Sequence, residues 1–244
     1  MQFQNSMYIR KNLWYNEYME LSVVIPCYNE ESNIQTCIQK ALNSFKILNI
    51  DGEVIVVDNN STDNSAQKAL EAGAKVVFCK DMGYGNALRC GFKNASGRLI
   101  IMADGDDSYD FNEIPKFYNA MANYDMVTGT RLKGDIKKGA MPFLHRYLGT
   151  PVLTFILNML YGTKISDSQC GMRMFKRECV EQINFKTTGM EFASELYVEF
   201  AKHKFSIHEI PISLWAVEGR KSKLNPIRDG LRHLFYLISA LHKA

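Results

Sequence analysis

Short β-branched runs separated by helical stretches fill the first half of the chain, and this alternation limits the fold more than any other feature. The runs are LSVVIP (21–26), EVIVVD (53–58), KVVFC (75–79), RLIIMAD (98–104) and DMVTGT (125–130). Between them lie helical patterns at 30–45, from Asp63 to Ala72, at 85–95 and at 112–123. Strands that alternate with helices pair in parallel, and the crossing helices cover both faces of the sheet. The expected fold class is therefore α/β, with a Rossmann-like, mostly parallel central sheet flanked by helices.

The second half is less regular. GDIKKGAMP (134–142) reads as a basic loop, and HRYLGTPVLTFILNMLYG (145–162) as a helix with an unusually apolar middle. ISDSQCGMRMFKR (165–177) reads as a loop and strand, 189–205 as a helix and SIHEIPISL (206–214) as a strand. A last helix over 226–243 carries Leu231, Leu234, Phe235, Ile238 and Leu241 on one stripe. At 244 residues the chain can bury one large core. Its net charge of +3 suits a few anion sites and is too mild to indicate nucleic acid. The six cysteines show no C-x-x-C spacing, which reads as reduced thiols in a cytosolic protein. Residues 1–18 lack the apolar core of a secretory signal and are expected to be an extension ahead of the domain. No apolar run reaches the roughly eighteen residues that a membrane span needs.

The layout puts three polar clusters at the carboxyl ends of strands: CYNEE (27–31), DNNSTD (58–63) and DGDDSYD (104–110). Open parallel sheets bind ligands at that edge. The third cluster crowds four aspartates into seven positions. Ionised carboxylates this close repel one another, and a bound cation reverses the sign of that cost. Asp104 and Asp106 flank Gly105, so both side chains can converge on one ion. Mg²⁺ or Mn²⁺ suits so few protein carboxylates, because waters and phosphate oxygens complete its shell. A calcium EF-hand does not fit, since Tyr109 and Pro115 stand where its loop needs glycine and glutamate. The competing reading is a solvated turn that caps the next helix.

Asp58, followed by Asn59 and Asn60, can hydrogen-bond a base or ribose edge, while Ser61 or Thr62 reads as a helix cap. Gly83 and Gly85 precede a helix without forming the dinucleotide fingerprint. Glycines there let backbone approach a diphosphate at a helix N-terminus, or simply make a tight turn. Arg131, Arg173, Arg220, Lys221 and Lys223 lie in or near predicted loops and suit anion clamping, against the alternative of solvated surface charge. Glu191 and Glu195 share a helical face, and either can be a general base or part of a solvated face.

Taken in order, VVIPCYNEE, VVDNNSTD, the glycine turn, ADGDDSYD, GTR, DSQCGMRMF, GMEFASE and KSKL…RDGLRHL resemble the family 2 glycosyltransferases with the GT-A fold. Within that family the likeness is to the dolichyl-phosphate mannose synthase and polyprenyl-phosphate glycosyltransferase branch, over roughly residues 20–240. The resemblance implies a nucleotide-sugar-binding half over 19–131 and an acceptor-binding half over 132–244 of one domain. It implies inverting transfer of a hexose from a UDP- or GDP-sugar, with Mg²⁺ or Mn²⁺ as cofactor. Pro26, Tyr28, Glu30 and Asp58 match positions that hold the nucleoside, with Asn60, Gly83 and Gly105 beside them. Asp104 and Asp106 match the D-x-D metal motif, and Arg131 an arginine that contacts phosphate. Asp167 and Arg173, with Glu195, match the acceptor side, and Arg220 and Lys223 the basic loop that closes over the diphosphate. Two departures stand out. DNNSTD replaces the common DDGSTD, and Ser108 stands where the mannose synthases use glutamine, which weakens any case for mannose.

The favoured acceptor is a polyprenyl phosphate, reached by peripheral contact of the 152–161 and 231–241 apolar stripes with the cytoplasmic face of a membrane. Those stripes would otherwise pack in the core or in a homodimer. With a phosphate acceptor no strong base is needed. A hydroxyl of a glycan, protein or small molecule needs one, and Glu191 is the first candidate. A non-catalytic nucleotide-sugar binder is the remaining alternative.

Overall fold

The structure is a computed structural model that describes residues 19–217 and 226–242. The extension 1–18 and the basic stretch holding Arg220, Lys221 and Lys223 lie outside the described residues. In chain order the elements are β1 (Leu21–Cys27), α1 (Ile34–Leu48), β2 (Gly52–Asp58), α2 (Ser65–Glu71), β3 (Lys75–Phe78), α3 (Tyr84–Asn94) and β4 (Leu99–Met102). Then come α4 (Ile114–Ala120), β5 (Met126–Ile136), α5 (Thr150–Tyr161), β6 (Arg173–Lys176), α6 (Arg177–Glu181), α7 (Phe192–Lys202), β7 (Ile207–Leu214) and α8 (Pro226–Ser239).

One seven-stranded sheet runs β3-β2-β1-β4-β6-β5-β7. Its first four strands are parallel, as the alternation predicts. The register brings their carboxyl ends level, with Cys27 opposite Asp58 and Asp58 opposite Phe78. The fifth run does not lie next to the fourth. β6 enters between β4 and β5, antiparallel to both. This reversal matters for the site. Arg173 at the start of β6 pairs with Met102 at the end of β4, so the preceding loop faces the aspartates. β5 also runs on to Ile136, past the Thr130 boundary expected from sequence, because it pairs with β7 beyond an irregularity between Thr130 and Asp135.

Period-two alternation feeds two cores. Val23, Ile25, Val54 and Val56 pack with Ile34, Ile38, Phe111 and Phe117 on one face. Val24, Ile55 and Val57 pack with Leu88, Phe92, Phe192 and Phe200 on the other. Phe92 of α3 meets Phe175 of β6 edge-on at 5.2 Å and Phe192 of α7 at 6.0 Å. Such aromatic pairs lock the two helices to the sheet.

The predicted 145–162 helix is divided. A π-helical turn over His145–Gly149 precedes α5. Pro151, in the first turn of α5, has no N–H to continue the preceding ladder. α5 is also inside-out. It buries Thr150, Thr154 and Leu157 and exposes Val152, Phe155 and Met159. The stripe on α8 behaves alike. Leu231, Ile238 and Leu241 are exposed, as is Phe235 at 75%, while His233, Leu237 and Ala240 face inward. Neither stripe is therefore core. The two helices touch, with the Tyr161 hydroxyl donating to the Leu237 carbonyl at 2.6 Å.

His233 Nδ1 lies 2.7 Å from the Ser194 hydroxyl of α7 and fixes α8 from inside. Burial pushes its imidazole pKa down to about 4. An unfolded histidine takes up its proton near pH 6.5, so the unfolded state binds the extra proton first and stability falls as pH drops from about 6.5 towards 4. Urea unfolding is expected to show a loss of about 2 kcal/mol near pH 5 relative to pH 7.5 from this group. A His233→Gln variant should lose that part of the pH slope; an unchanged slope would contradict the assignment.

Candidate active site

The site is built at the carboxyl edge of the sheet, where the loops after β1 and β2 hold each other. Asn29 and Asn60 take left-handed backbone (φ 54° and 66°), which asparagine tolerates well. The Asn29 N–H donates to the Ser61 hydroxyl at 3.1 Å, and its side-chain oxygen accepts from the Thr62 N–H at 2.8 Å. The Glu30 N–H donates to the Ser65 hydroxyl at 2.8 Å. Pro26 lies in β1 opposite Val57, and the Tyr28 ring is exposed beside them. Three of the four residues expected at a nucleoside, Pro26, Tyr28 and Glu30, thus lie together at the ends of β1 and β2, where Asp58 closes the second strand.

Asp58 is buried. One of its oxygens accepts from the Ser61 N–H at 3.3 Å, and Oδ1 has no partner among the described residues. A buried bare carboxylate oxygen is costly unless a donor reaches it. Asn60 differs from expectation, because its amide donates to the Cys79 and Lys80 carbonyls at 3.3 and 3.1 Å and so holds protein rather than ligand. Its neighbour Asn59, read with it as part of a base- or ribose-binding loop, also holds protein. Asn59 is buried, donates to Asp81 O at 2.8 Å and accepts from the Gly83 N–H at 2.7 Å, stapling the end of β2 to the loop before α3.

The four aspartates are sorted into two pairs. Lys40 of α1 reaches Asp107 at 2.7 Å and Asp110 at 3.8 Å. Asp110 also caps the 3-10 turn that follows, accepting from Asn112 N at 3.1 Å. Asp104 and Asp106 follow the carboxyl end of β4 and accept from hydroxyl and N–H donors. Asp104 Oδ1 accepts the Tyr84 hydroxyl at 3.1 Å. Asp106 Oδ1 accepts from the Ser108 N–H at 3.0 Å and its hydroxyl at 2.6 Å. Gly105 is buried where a Cβ would lie 2.9 Å from Ile25, so close packing on β1 accounts for its glycine. Among the described residues no three His, Cys, Asp or Glu side chains converge as a self-sufficient metal cage. Two carboxylates alone suit Mg²⁺ or Mn²⁺, which draw their other ligands from water and phosphate.

The glycine turn is used differently from expectation. Gly85 and Asn86, at the N-terminus of α3, donate their N–H groups to the Thr188 carbonyl at 3.0 and 3.3 Å. A Cβ at Gly83 would lie 2.2 Å from that same oxygen, and Gly83 has φ 134°. The close approach that requires glycine is by protein backbone, and the helix N-terminus expected for a diphosphate is already capped.

On the other side, Arg131 and Asp167 form a buried two-pronged pair at 2.7 and 2.8 Å. Burial raises the Asp167 carboxyl, but the Arg131 charge and its hydrogen bonds outweigh it and hold the group below its ordinary range. Arg131 was expected on a phosphate, yet its guanidinium fork is committed to Asp167. Arg173 is likewise internal. It is fully buried and donates to the carbonyls of Cys170, Ala193 and Ser168 at 2.8, 2.7 and 3.0 Å, with its guanidinium over the Tyr197 ring. Both arginines therefore shape the 166–171 loop from behind. Glu195 is buried too, accepting from the Lys186 and Thr187 N–H groups at 2.8 and 2.9 Å, so it is neither a solvated face nor a free base.

Glu191, at the N-cap of α7, pairs with Arg232 of α8 at 2.7 Å. Burial raises its carboxyl, while the helix-end N–H groups and Arg232 prevail and keep it low. Its Oε2 is buried with no partner among the described residues. The pair lines a cleft of 840 Å³ between α7 and α8 that also takes in Phe235 and Tyr236. Arg232 lies 41 positions from Glu191, beyond any local pattern in the sequence.

The sequence profile described as Glycosyl transferase family 2 matches residues 22–183. The chain is 42% identical over 223 residues to the low-salt glycan biosynthesis hexosyltransferase Agl6 of Haloferax volcanii, covering 90% of this chain. It spans only 54% of that relative's length. It is 31% identical to the dolichyl-phosphate hexose transferase of the same organism, over 86% of this chain and 89% of that one. Among solved structures, glucosyl-3-phosphoglycerate synthase from Mycobacterium tuberculosis, in complex with Mn²⁺, UDP and glucosyl-3-phosphoglycerate, superposes with a TM-score of 0.71. That match is 21% identical and covers 91% of this chain and 80% of the other, which establishes a shared GT-A architecture.

Removing one member of a buried ion pair strands the other. Asp167→Asn is expected to cost about 3 kcal/mol in urea unfolding, with Arg131 left uncompensated. A loss under about 1 kcal/mol would mean the pair does not organise the loop.

Proposed function

The chain belongs to glycosyl transferase family 2, and from that premise we propose an inverting, metal-dependent hexosyltransferase that uses a UDP- or GDP-sugar and a polyprenyl phosphate acceptor. The observation that carries this reading is the sorting of the aspartates. Lys40 pairs with Asp107 and Asp110, while Asp104 and Asp106 follow the end of β4 at the same sheet edge as Asp58, whose Oδ1 is bare among the described residues. In this reading residues 19–131 supply the donor half and 132–244 the acceptor half. Asp58 Oδ1 accepts an N–H of the base or an O–H of the ribose. Tyr28, Pro26 and Glu30 flank it. Asp104 and Asp106 hold Mg²⁺ or Mn²⁺, which when bound offsets the negative charge of the departing diphosphate. Arg131 works through Asp167, fixing the 166–171 loop against the aspartates. Trp215 donates its N–H to the Ser108 carbonyl at 2.9 Å, so the chain towards Arg220 and Lys223 leaves from beside the carboxylates. That position supports assigning those two cations to the leaving diphosphate.

The reaction forms one bond and breaks one. An acceptor oxygen attacks the anomeric carbon from the face opposite the diphosphate, whose C–O bond breaks with both electrons leaving on oxygen. A phosphate acceptor brings its own negative charge, and no proton has to be removed. Glu191 suits that case, because Arg232 holds it as a weak base. The inside-out faces of α5 and α8 add to it. Phe155 and Phe235 are exposed, and Arg146 lies over the exposed Tyr147 ring, which packs on exposed Phe143. Apolar groups beside cations suit the surface of an anionic bilayer. No described helix is long and apolar enough to cross a membrane. The name of the dolichyl-phosphate hexose transferase relative points to the same acceptor class.

A hydroxyl acceptor is the second reading, favoured by the buried, bare Oε2 of Glu191. One experiment separates them. Radiolabelled hexose from UDP- or GDP-sugars is expected to partition into butanol when polyprenyl phosphate is supplied, and Glu191→Gln should lower kcat by less than about tenfold. Label that stays aqueous, together with a loss of about 10²–10⁴ in kcat for Glu191→Gln, would overturn the lipid phosphate in favour of base catalysis.

A further inference from the structure

We propose that Tyr84 is a positioning residue for Asp104, held in place by the acceptor-side segment 186–189. The inference rests on reading Asp104 as a metal-binding carboxylate. Tyr84 opens α3, and its hydroxyl donates to Asp104 Oδ1 at 3.1 Å. The other carboxylate oxygen lies close to the Gly171 backbone. A Cβ on Gly171 would lie 2.9 Å from Asp104 Oδ2, so only glycine leaves that oxygen its place. Gly171 is itself fixed, since its N–H donates to the Tyr109 hydroxyl at 2.8 Å. Asp104 is thus gripped at one oxygen by Tyr84 and bounded at the other by Gly171.

Tyr84 is anchored by three segments distant in sequence. Asn59, at the end of β2, accepts from the Gly83 N–H at 2.7 Å. Thr188 O accepts from the Gly85 and Asn86 N–H groups. Glu195 on α7 in turn holds the Thr188 segment through Lys186 N and Thr187 N. A ring that merely filled space would not need its first helical turn tied from both halves of the domain. The same segment leads into Glu191, so the groups that fix the donor-side carboxylate are continuous with the wall of the α7–α8 cleft.

The physical gain is orientation. A carboxylate free to rotate must be ordered when a divalent ion arrives, whereas one already fixed meets the ion at no such cost. Partners that hold liganding groups are typically worth 10–100-fold in metal affinity.

The test is a Mn²⁺ titration of the full chain followed by electron paramagnetic resonance, with saturating UDP or GDP, comparing wild type, Tyr84→Phe and Asp106→Asn. Calorimetry of metal-free nucleotide and thermal unfolding accompany it. Tyr84→Phe keeps the ring and removes only the hydroxyl. The expected result is Mn²⁺ binding about tenfold weaker than wild type, with metal-free nucleotide affinity and melting temperature unchanged. If Asp106→Asn abolishes Mn²⁺ uptake while Tyr84→Phe matches wild type, the role of Tyr84 is overturned and the metal site stands. A variant that loses metal-free nucleotide binding or melts lower to the same degree assigns Tyr84 to general packing and also overturns it. Should wild type take up no Mn²⁺ with either nucleotide, the metal reading fails and this inference with it.

Discussion

Like charges at the end of a buried strand set the terms for everything around them. β4 is buried throughout, and the chain leaves it directly into Asp104, Asp106, Asp107 and Asp110. Four carboxylates so close are tolerable only when each finds compensation. Lys40 supplies it to two of them from α1. For Asp104 and Asp106 the structure provides hydroxyl and N–H donors, Tyr84 and Ser108, which steady each carboxylate. A doubly charged ion at this point of the sheet edge would offset the crowding and could bring a diphosphate with it.

The two halves of the chain meet at that point through backbone more than through side chains. Antiparallel β6 delivers the 166–171 loop to Asp104, and the Arg131–Asp167 and Arg173 networks stiffen the loop from behind. Thr188 caps α3, and Trp215 is bonded to the aspartate turn. Segments from the two halves so interleaved are expected to respond to one another, because neither can shift without breaking hydrogen bonds of the other.

How much of this the sequence disclosed depended on the range of the interaction. The parallel strands were legible because period-two alternation is local, and Val23, Ile25, Val54 and Val56 do face one core. The edge clusters were legible because strand ends follow from strand assignments. The antiparallel insertion of β6 was not, since pairing of Met102 with Arg173 spans the whole middle of the chain. Side-chain roles failed for the same reason. Gly83 read as a diphosphate turn or a simple tight turn, but its close neighbour, Thr188 O, comes from another part of the chain. Arg131, Arg173 and Glu195 read as ligand-facing groups or solvated charges, and their partners are distant acids, carbonyls and amides. The apolar stripes of α5 and α8 were visible as stripes, but whether a stripe faces in or out is decided by the neighbouring elements, and here both face out.

The central claim is that Asp104 and Asp106 seat a divalent ion that grips a nucleotide diphosphate, with the nucleoside on Asp58. Anomalous diffraction at the manganese edge, from crystals grown with Mn²⁺ and UDP or GDP, tests it most directly. The account predicts a single strong manganese peak between the two carboxylates, bridged to the diphosphate, with the base or ribose donating to Asp58 Oδ1. A manganese ion and nucleotide bound elsewhere, such as the α7–α8 cleft, with both aspartates untouched, would contradict it.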